Sequence, residues 1–148
     1  MSNLNTNSFI SNQTVRFSDT DAAGIVYFGA FATYFDEGFH AALRSKGVGW
    51  NQHREDDFLL PIVEQNCRFF YPLRAHDEIK VVMNISKIGN RSFTSSHKVY
   101  VMKEDGTDQM CAAGTISRVI VDYKNFKAKK IPEKLRIILE SFESPDSV

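Results

Sequence analysis

The sequence predicts an α+β fold in which a curved antiparallel sheet wraps around one long helix. Two patterns predict it. Between Val26 and Lys46, the residues Phe28, Phe31, Phe35, Phe39, Ala42 and Leu43 recur every three or four positions, one apolar stripe at the helical period. From Ile62 to Asp122 the period changes to two and holds through four successive segments joined by short turns. Strands in such a row pair antiparallel, and a lone striped helix has to bury its stripe on the sheet they form. The chain has 148 residues. One domain of about this size buries roughly 68–70% of its unfolded surface and needs no metal or disulfide staple. The expected organisation is a flexible N-terminal arm over 1–8, a single domain over 9–143 and a tail over 144–148.

The elements follow in order. Phe9 to Phe17 reads as a first strand with Val15 and Phe17 on one face, and it breaks at the small and acidic run Ser18 to Gly24. The helix from about Val26 to Lys46 carries Thr33, Asp36, Glu37, His40 and Arg44 on or beside its polar side, and Gly47 and Gly49 end it. Residues 48–60 form an irregular charged loop with Trp50, His53 and Arg54, and loops of this length are often functional. Ile62 to Phe70 is a strand closed by Pro72. Glu78 to Ile88 is the next, with Ile79, Val81, Met83 and Ile85 on one face, followed by a Gly89-Asn90 turn. Ser92 to Lys103 alternates Phe93, Ser95, His97, Val99 and Val101 up to the hairpin dipeptide Asp105-Gly106. A long strand from about Gln109 to Asp122 is apolar on both faces at Val119-Ile120-Val121, as in a central strand. Pro132 opens a short helix that buries Leu135, Ile138, Leu139 and Phe142.

Composition excludes several classes of function. Eighteen Lys+Arg balance eighteen Asp+Glu. The chain therefore lacks the field with which a nucleic-acid binder finds phosphates, and copies of it repel one another little. No apolar run approaches the ~20 residues that span a bilayer. Met1 to Asn12 is polar, without a charged region followed by an apolar one, so the cytoplasm is the expected compartment. Cys67 and Cys111 form no CxxC pair and read as small buried hydrophobes. Twelve Phe residues are more ring surface than one small core requires, so part of it is expected in a pocket or an interface.

The densest chemical pattern runs from Asp19 through Asp21 and Gly24 to Phe28. Two carboxylates just before a helix are ordinarily helix caps, each worth ~0.5–2 kcal/mol. The same physics suits catalysis. Gly24 allows close approach of backbone to ligand, and the first N–H groups of a helix lack intrahelical partners and can hold a developing oxyanion. A carboxylate beside them can attack an acyl carbon or activate water. Spacing alone does not choose between cap and catalyst.

The segment Val15-Arg16-Phe17-Ser18-Asp19-Thr20-Asp21-Ala22-Ala23-Gly24-Ile25-Val26-Tyr27-Phe28 resembles the signature of hot-dog-fold acyl-CoA thioesterases of the 4-hydroxybenzoyl-CoA type. The runs Phe58-Leu59-Leu60-Pro61-Ile62-Val63 and Phe69-Phe70-Tyr71-Pro72-Leu73 resemble the cyanobacterial branch that hydrolyses 1,4-dihydroxy-2-naphthoyl-CoA on the way to phylloquinone. The resemblance implies that Asp21 is the catalytic carboxylate, either as nucleophile through a mixed anhydride or as base for water. It implies that the backbone of Gly24, Ile25, Val26, Tyr27 and Phe28 binds the substrate and polarises the thioester carbonyl. Asp19 is expected to be structural. Tyr27 and Phe28 are the expected acyl-pocket residues, with Phe31 and Phe58 as further candidates and Asp36 as a polar partner for a ring hydroxyl. Arg91 and Ser92, after the Gly89-Asn90 turn, are the positions at which the family touches coenzyme A. Lys124, Lys127, Lys129 and Lys130 form a basic run before Pro132 that ordinarily means a solvated loop. No cofactor is implied beyond the CoA of the substrate. Edge-to-edge dimers, or dimers of dimers, are implied, with each site shared between subunits.

Four rivals are weaker on the residues. Glu37-x-x-His40 has the spacing of a carboxylate-bridged metal helix, but such sites need facing helices, so no metal is expected. A hot-dog dehydratase needs a different helix-borne motif. A non-catalytic acyl-binding module would retain the pocket without the acid that Asp21 supplies. Nucleic-acid binding lacks a basic, aromatic recognition strand.

Overall fold

The computed structural model describes residues 7–49 and 58–144. Most of the proposed arm, the last four residues of the tail, and Trp50, His53 and Arg54 of the charged loop lie outside the described residues. Strand β1 is Phe9–Thr14 and helix α1 is Phe28–Ser45. Then come β2 (Phe58–Leu59), β3 (Ile62–Phe69), β4 (Glu78–Ile88), β5 (Ser92–Met102), β6 (Asp108–Val119) and β7 (Val121–Asp122), and helix α2 is Glu133–Ser141. Five strands form one antiparallel sheet in the order β1-β4-β5-β6-β3, and β2 pairs with β7 apart from it. Helix α1 packs on β1, β4 and β5. This is the curved sheet around one helix that the period change predicts. No helix among the described residues is long and apolar enough to cross a membrane.

The core forms along the stripe of α1 in two parts. Ala30, Phe31, Tyr34 and Phe35 meet Val15, Leu73, Ile79, Val81 and Val99. Phe39, Ala42 and Leu43 meet Met83, Ile85, Phe93 and the Leu135 and Leu139 face of α2. Full burial of a side chain such as Phe39 contributes about 1.5–3 kcal/mol. The helix ends as its glycine suggests. Gly47 takes φ +81°, its N–H bonds the Arg44 carbonyl, and the Val48 N–H reaches back to the Leu43 carbonyl. Cys111 is buried and Cys67 partly so, and burial pushes both thiols up to about 11, which keeps them protonated.

Phe58–Leu59, at the end of the segment expected to be irregular, is strand β2, and three boundaries differ from the sequence reading by more than one residue. The first strand stops at Thr14, and Phe17 is 77% exposed in a 3-10 turn rather than sharing the buried face of Val15. The cause is Asp19, whose side chain binds the backbone of Arg16 and bends the chain. Helix α1 begins at Phe28, not Val26, because the N–H groups of Val26 and Tyr27 are drawn to the carbonyls of Leu73 and Asp19. The final long strand divides at Ile120, which leaves the main sheet, so that Val121 pairs with Leu59 of β2.

The sheet order builds the site. Strand β3 lies at one edge beside β6, while β4, the next strand in sequence, lies between β1 and β5. Residues 70–77 therefore cross about three strand spacings, ~14 Å, at one end of the sheet. The crossing passes the start of α1, where the Leu73 carbonyl accepts the Val26 N–H at 2.9 Å and Leu73 is fully buried.

Candidate active site

Two small turns position the chemistry. In the first, Asp19 is buried and saturated. Its Oδ2 accepts the Arg16 backbone N–H at 3.0 Å and the Tyr34 hydroxyl at 2.8 Å, and its Oδ1 accepts from the Arg16 guanidinium at 3.0 Å. Burial opposes ionisation of this carboxyl, but the bonds from Arg16 and Tyr34 outweigh it and hold the group below the usual carboxylate range. The Asp19 carbonyl accepts the Tyr27 N–H at 3.1 Å, so the same residue also fixes the approach to the helix. Asp19 is thus the structural member of the pair, as expected.

The second turn runs from Asp21 to Gly24. The Gly24 N–H bonds the Asp21 carbonyl and the Asp21 N–H bonds the Ile25 carbonyl, both at 2.9 Å. Gly24 has φ +83°, a conformation that side chains with a Cβ avoid, while a Cβ there would meet open space. Glycine is thus required by backbone shape rather than by crowding. The Asp21 Oδ1 accepts the Ala23 N–H at 2.8 Å, and its Oδ2 has no partner among the described residues. Asp21 is exposed and does not cap α1, whose N-cap is Tyr27 without a side-chain bond. The capping reading of Asp21 therefore falls, and one carboxylate oxygen is available for chemistry.

Asp21 opens onto a cavity of about 390 Å³ between the start of α1 and the crossing segment. Ile25, Val26, Tyr27, Phe28 and Phe31 line one side of it and Phe69 to Leu73 the other. Tyr27 and Phe28 are 45% and 77% exposed and meet edge to face, 6.3 Å between ring centroids. Of the backbone donors expected to polarise a carbonyl, those of Gly24, Val26 and Tyr27 are spent inside the chain. The N–H groups of Phe28 and Gly29, first in the helix, have no acceptor among the described residues. Phe28 and Phe69 also border a second cavity of about 290 Å³, which continues along α1 past Ala32 and Phe35 against β3.

Beyond it lies a polar cluster of which sequence reasoning singled out Asp36 and His40 but gave no role to Arg118 or His97. Arg118 of β6 is buried, lies 4.0 Å from the centroid of the Phe39 ring, and donates to the Asp36 carboxylate. His40, one turn on, is 3.5 Å from the same carboxylate. The hydrogen bond from His40 and then the charges of His40 and Arg118 hold the Asp36 carboxyl below its usual range, against burial. His97 is buried, stacks on Phe35 at 4.9 Å, and shares a 2.8 Å hydrogen bond with the Ser95 hydroxyl. Burial, then the charge of Arg118, pull its pKa down to about 3, so it is neutral. The signal was present: Ser95, His97 and Arg118 are polar residues at inward positions of otherwise apolar alternation.

The remaining candidates separate. Phe31 is core and still touches the cavity, edge to face with Phe69 at 5.3 Å. Phe58 is buried in the other half of the core and does not reach Asp21. Arg91 and Ser92 are exposed at the far end of the sheet, where the Arg91 carbonyl accepts the Ile120 N–H. Seven or more strand residues, roughly 25 Å, separate that turn from the level of Asp21. The basic run lies at the same far end, with Lys129 bonded through its backbone to Ile120.

A family model described as the thioesterase-like superfamily matches residues 15–139. The 1,4-dihydroxy-2-naphthoyl-CoA hydrolase of Crocosphaera subtropica is 31% identical over 114 residues, 76% of this chain and 82% of that one. The solved structure of a gentisyl-coenzyme A thioesterase is 29% identical, with a TM-score of 0.75 over 86% of this chain and 98% of that one. A 1,4-dihydroxy-2-naphthoyl-CoA thioesterase from Synechocystis superposes with a TM-score of 0.80 over 89% and 95% of the two chains, at 24% identity, a likeness of fold.

Proposed function

Because this chain belongs to the thioesterase-like superfamily, whose hot-dog fold and thioester hydrolysis it shares, we propose that it hydrolyses an aromatic acyl-CoA, with 1,4-dihydroxy-2-naphthoyl-CoA as the leading substrate. The observation that carries this reading is the meeting, on one cavity, of Asp21, whose Oδ2 is unengaged among the described residues, with Phe28, whose N–H, like that of the adjoining Gly29, has no acceptor among them. The two N–H groups receive the oxyanion as the thioester carbonyl becomes tetrahedral. Asp21 either attacks the carbonyl carbon, forming a mixed anhydride as the thiolate of CoA leaves, or takes a proton from the water that attacks. In the first route water then cleaves the anhydride and restores the Asp21 carboxylate, so both routes consume one water and end in the free acid and CoA. Tyr27, Phe28 and Phe31 offer faces and edges to an aryl ring, and the ionised Asp36 farther along α1 is a ready acceptor for a ring hydroxyl. The relative from Crocosphaera supports the naphthoyl assignment; a place in phylloquinone synthesis in the cytoplasm is part of the same proposal. The gentisyl-coenzyme A structure supports a second reading, another hydroxylated aromatic acyl-CoA.

The edge strand β3 supports a shared site. Ile62, Val63 and Phe69 are 47%, 63% and 51% exposed along a strand whose outer edge has no neighbour among the described strands. Exposed apolar edges of this kind call for a partner. Antiparallel pairing of β3 with β3 of a second copy would bring the Ile62 end, and with it the Arg91-Ser92 turn, beside the Phe69 end and Asp21. That arrangement gives Arg91 and Ser92 a route to the CoA in a dimer or dimer of dimers.

Thiol release over a panel of aromatic and aliphatic acyl-CoA thioesters tests the reading. The naphthoyl thioester is expected to show the highest kcat/KM. An aliphatic substrate with a higher value sinks the aromatic assignment, and no hydrolysis of any thioester sinks the enzyme.

A further inference from the structure

The face of the sheet turned away from α1 carries a feature that the site described above does not use. Lys98 of β5 and Arg68 of β3 both pair in register with Ala113 of the intervening β6. Residues opposite one another in a sheet point to the same face, so two cations stand about 10 Å apart at their Cα atoms with only a methyl group between them. The next rung, Ser96, Thr115 and Asn66, is small and polar. Together with Phe70 these residues enclose a cavity of about 130 Å³. Neither cation has an acidic partner among the described residues; Arg68 lies over the Phe70 ring at 5.8 Å. Lys80 on the same face is already paired with Asp108 at 2.6 Å. The nearest acid along β3 is Glu64, four residues and roughly 13 Å from Arg68.

Two uncompensated cations over a small floor with hydroxyl donors fit a phosphate, which accepts charge-assisted hydrogen bonds from each. Location suggests its source. Phe70 borders both this cavity and the one that Asp21 opens onto. A ligand whose thioester lies at Asp21 and whose flexible arm passes Phe70 arrives between Arg68 and Lys98 without leaving the chain. We infer that Arg68 and Lys98 hold a phosphate group of the acyl-CoA whose thioester is bound at Asp21 of the same chain. This inference rests on the acyl-CoA reading and deepens it, since it places a phosphate grip in cis, whereas Arg91 can serve only across two copies.

The test compares one acyl group carried on CoA and on pantetheine, which has the same arm and no phosphate. In Arg68→Ala and Lys98→Ala, KM for the CoA thioester is expected to rise about tenfold each, the scale of one charge-assisted bond. The salt dependence of that KM should weaken, while kcat on both thioesters and KM for the pantetheine thioester stay within about twofold of wild type. Unchanged KM for the CoA thioester overturns the inference, and so does an equal rise for both thioesters, which marks a structural role. Calorimetric titration with adenosine 3′,5′-bisphosphate keeps the two proposals distinguishable. Weaker binding in the double variant supports the cradle even if no thioester is hydrolysed, and equal binding in wild type and double variant removes it whatever the hydrolysis shows.

Discussion

The two turns that precede α1 hold aspartates two residues apart and use them in opposite ways. In the Arg16–Asp19 turn the carboxylate is buried and accepts from a backbone N–H, a guanidinium and a phenol. In the Asp21–Gly24 turn the carboxylate is exposed, spends one oxygen on Ala23 and leaves the other open to a cavity. The first arrangement satisfies the charge; the second leaves reactivity. Residue type and spacing do not separate them. What separates them is that the chain folds back over Asp19, through Tyr34 and the Tyr27 N–H, and does not fold over Asp21.

The largest expected effect breaks this contrast at the level of chemistry. Asp21→Asn retains the turn, because an amide oxygen can still accept from Ala23, yet removes the carboxylate proposed as nucleophile or base. Thioester hydrolysis is expected to fall about 10³-fold, within the range of positioned acid–base groups. The unfolding midpoint in urea should move by no more than ~0.5 kcal/mol of stability. Asp19→Ala should invert the pattern. It leaves the Tyr34 hydroxyl and the Arg16 N–H without their acceptor, at a cost of about 2–3 kcal/mol, and lowers Tm by about 5–10 °C. If Asp19→Ala unfolds no more easily than wild type, the structural assignment is wrong.

The same contrast between buried and open polar groups recurs under α1, where Asp36 is half-buried and His97 fully so. His97 has a folded pKa depressed to about 3 against ~6.5 unfolded. Below pH 6.5 the unfolded chain binds a proton that the folded chain refuses, so stability falls as pH falls, by up to ~1.4 kcal/mol per pH unit. Asp19 and Asp36, whose folded pKa values are depressed, lose their contributions only below ~3.9, as pH drops through their folded values. Between pH 6.5 and 4.5 the slope of stability against pH is therefore expected to lessen in His97→Asn. Equal slopes for wild type and variant in urea titrations would show that His97 is not held neutral.

How far the sequence was legible follows from which interactions are local. The Phe stripe, the alternation in β4 and β5 and the turn residues Gly24, Gly47 and Asp105-Gly106 act within a few positions, and each element they imply is present. Phe17 was misread because a side chain three residues away, Asp19, overrides strand alternation. The sheet order was not legible: that β3 crosses to the far edge, and so builds the wall from Phe69 to Leu73 opposite α1, depends on pairings 43 to 56 residues apart. Asp21 could be named from its motif, but its open oxygen and the two available donors at Phe28 and Gly29 required knowing which N–H groups Leu73 and Asp19 consume. Arg118 and His97 were visible as exceptions to alternation, and their partners Asp36 and Phe35 come from a helix over 60 residues away.

The smallest expected effect sharpens the comparison most. Tyr34→Phe removes one hydroxyl from a buried ring that packs in the core against Phe31, 5.6 Å between centroids. The carboxylate of Asp19 retains Arg16 on both oxygens. Loss of this one bond to a charged acceptor should cost about 1–1.5 kcal/mol. If the phenol acts through Asp19, the same substitution made in Asp19→Ala should cost nothing further, and the double-mutant cycle should return a coupling of that size. Additive losses would mean that the Tyr34 hydroxyl contributes independently of Asp19, and that Arg16 by itself distinguishes the saturated aspartate from the open one.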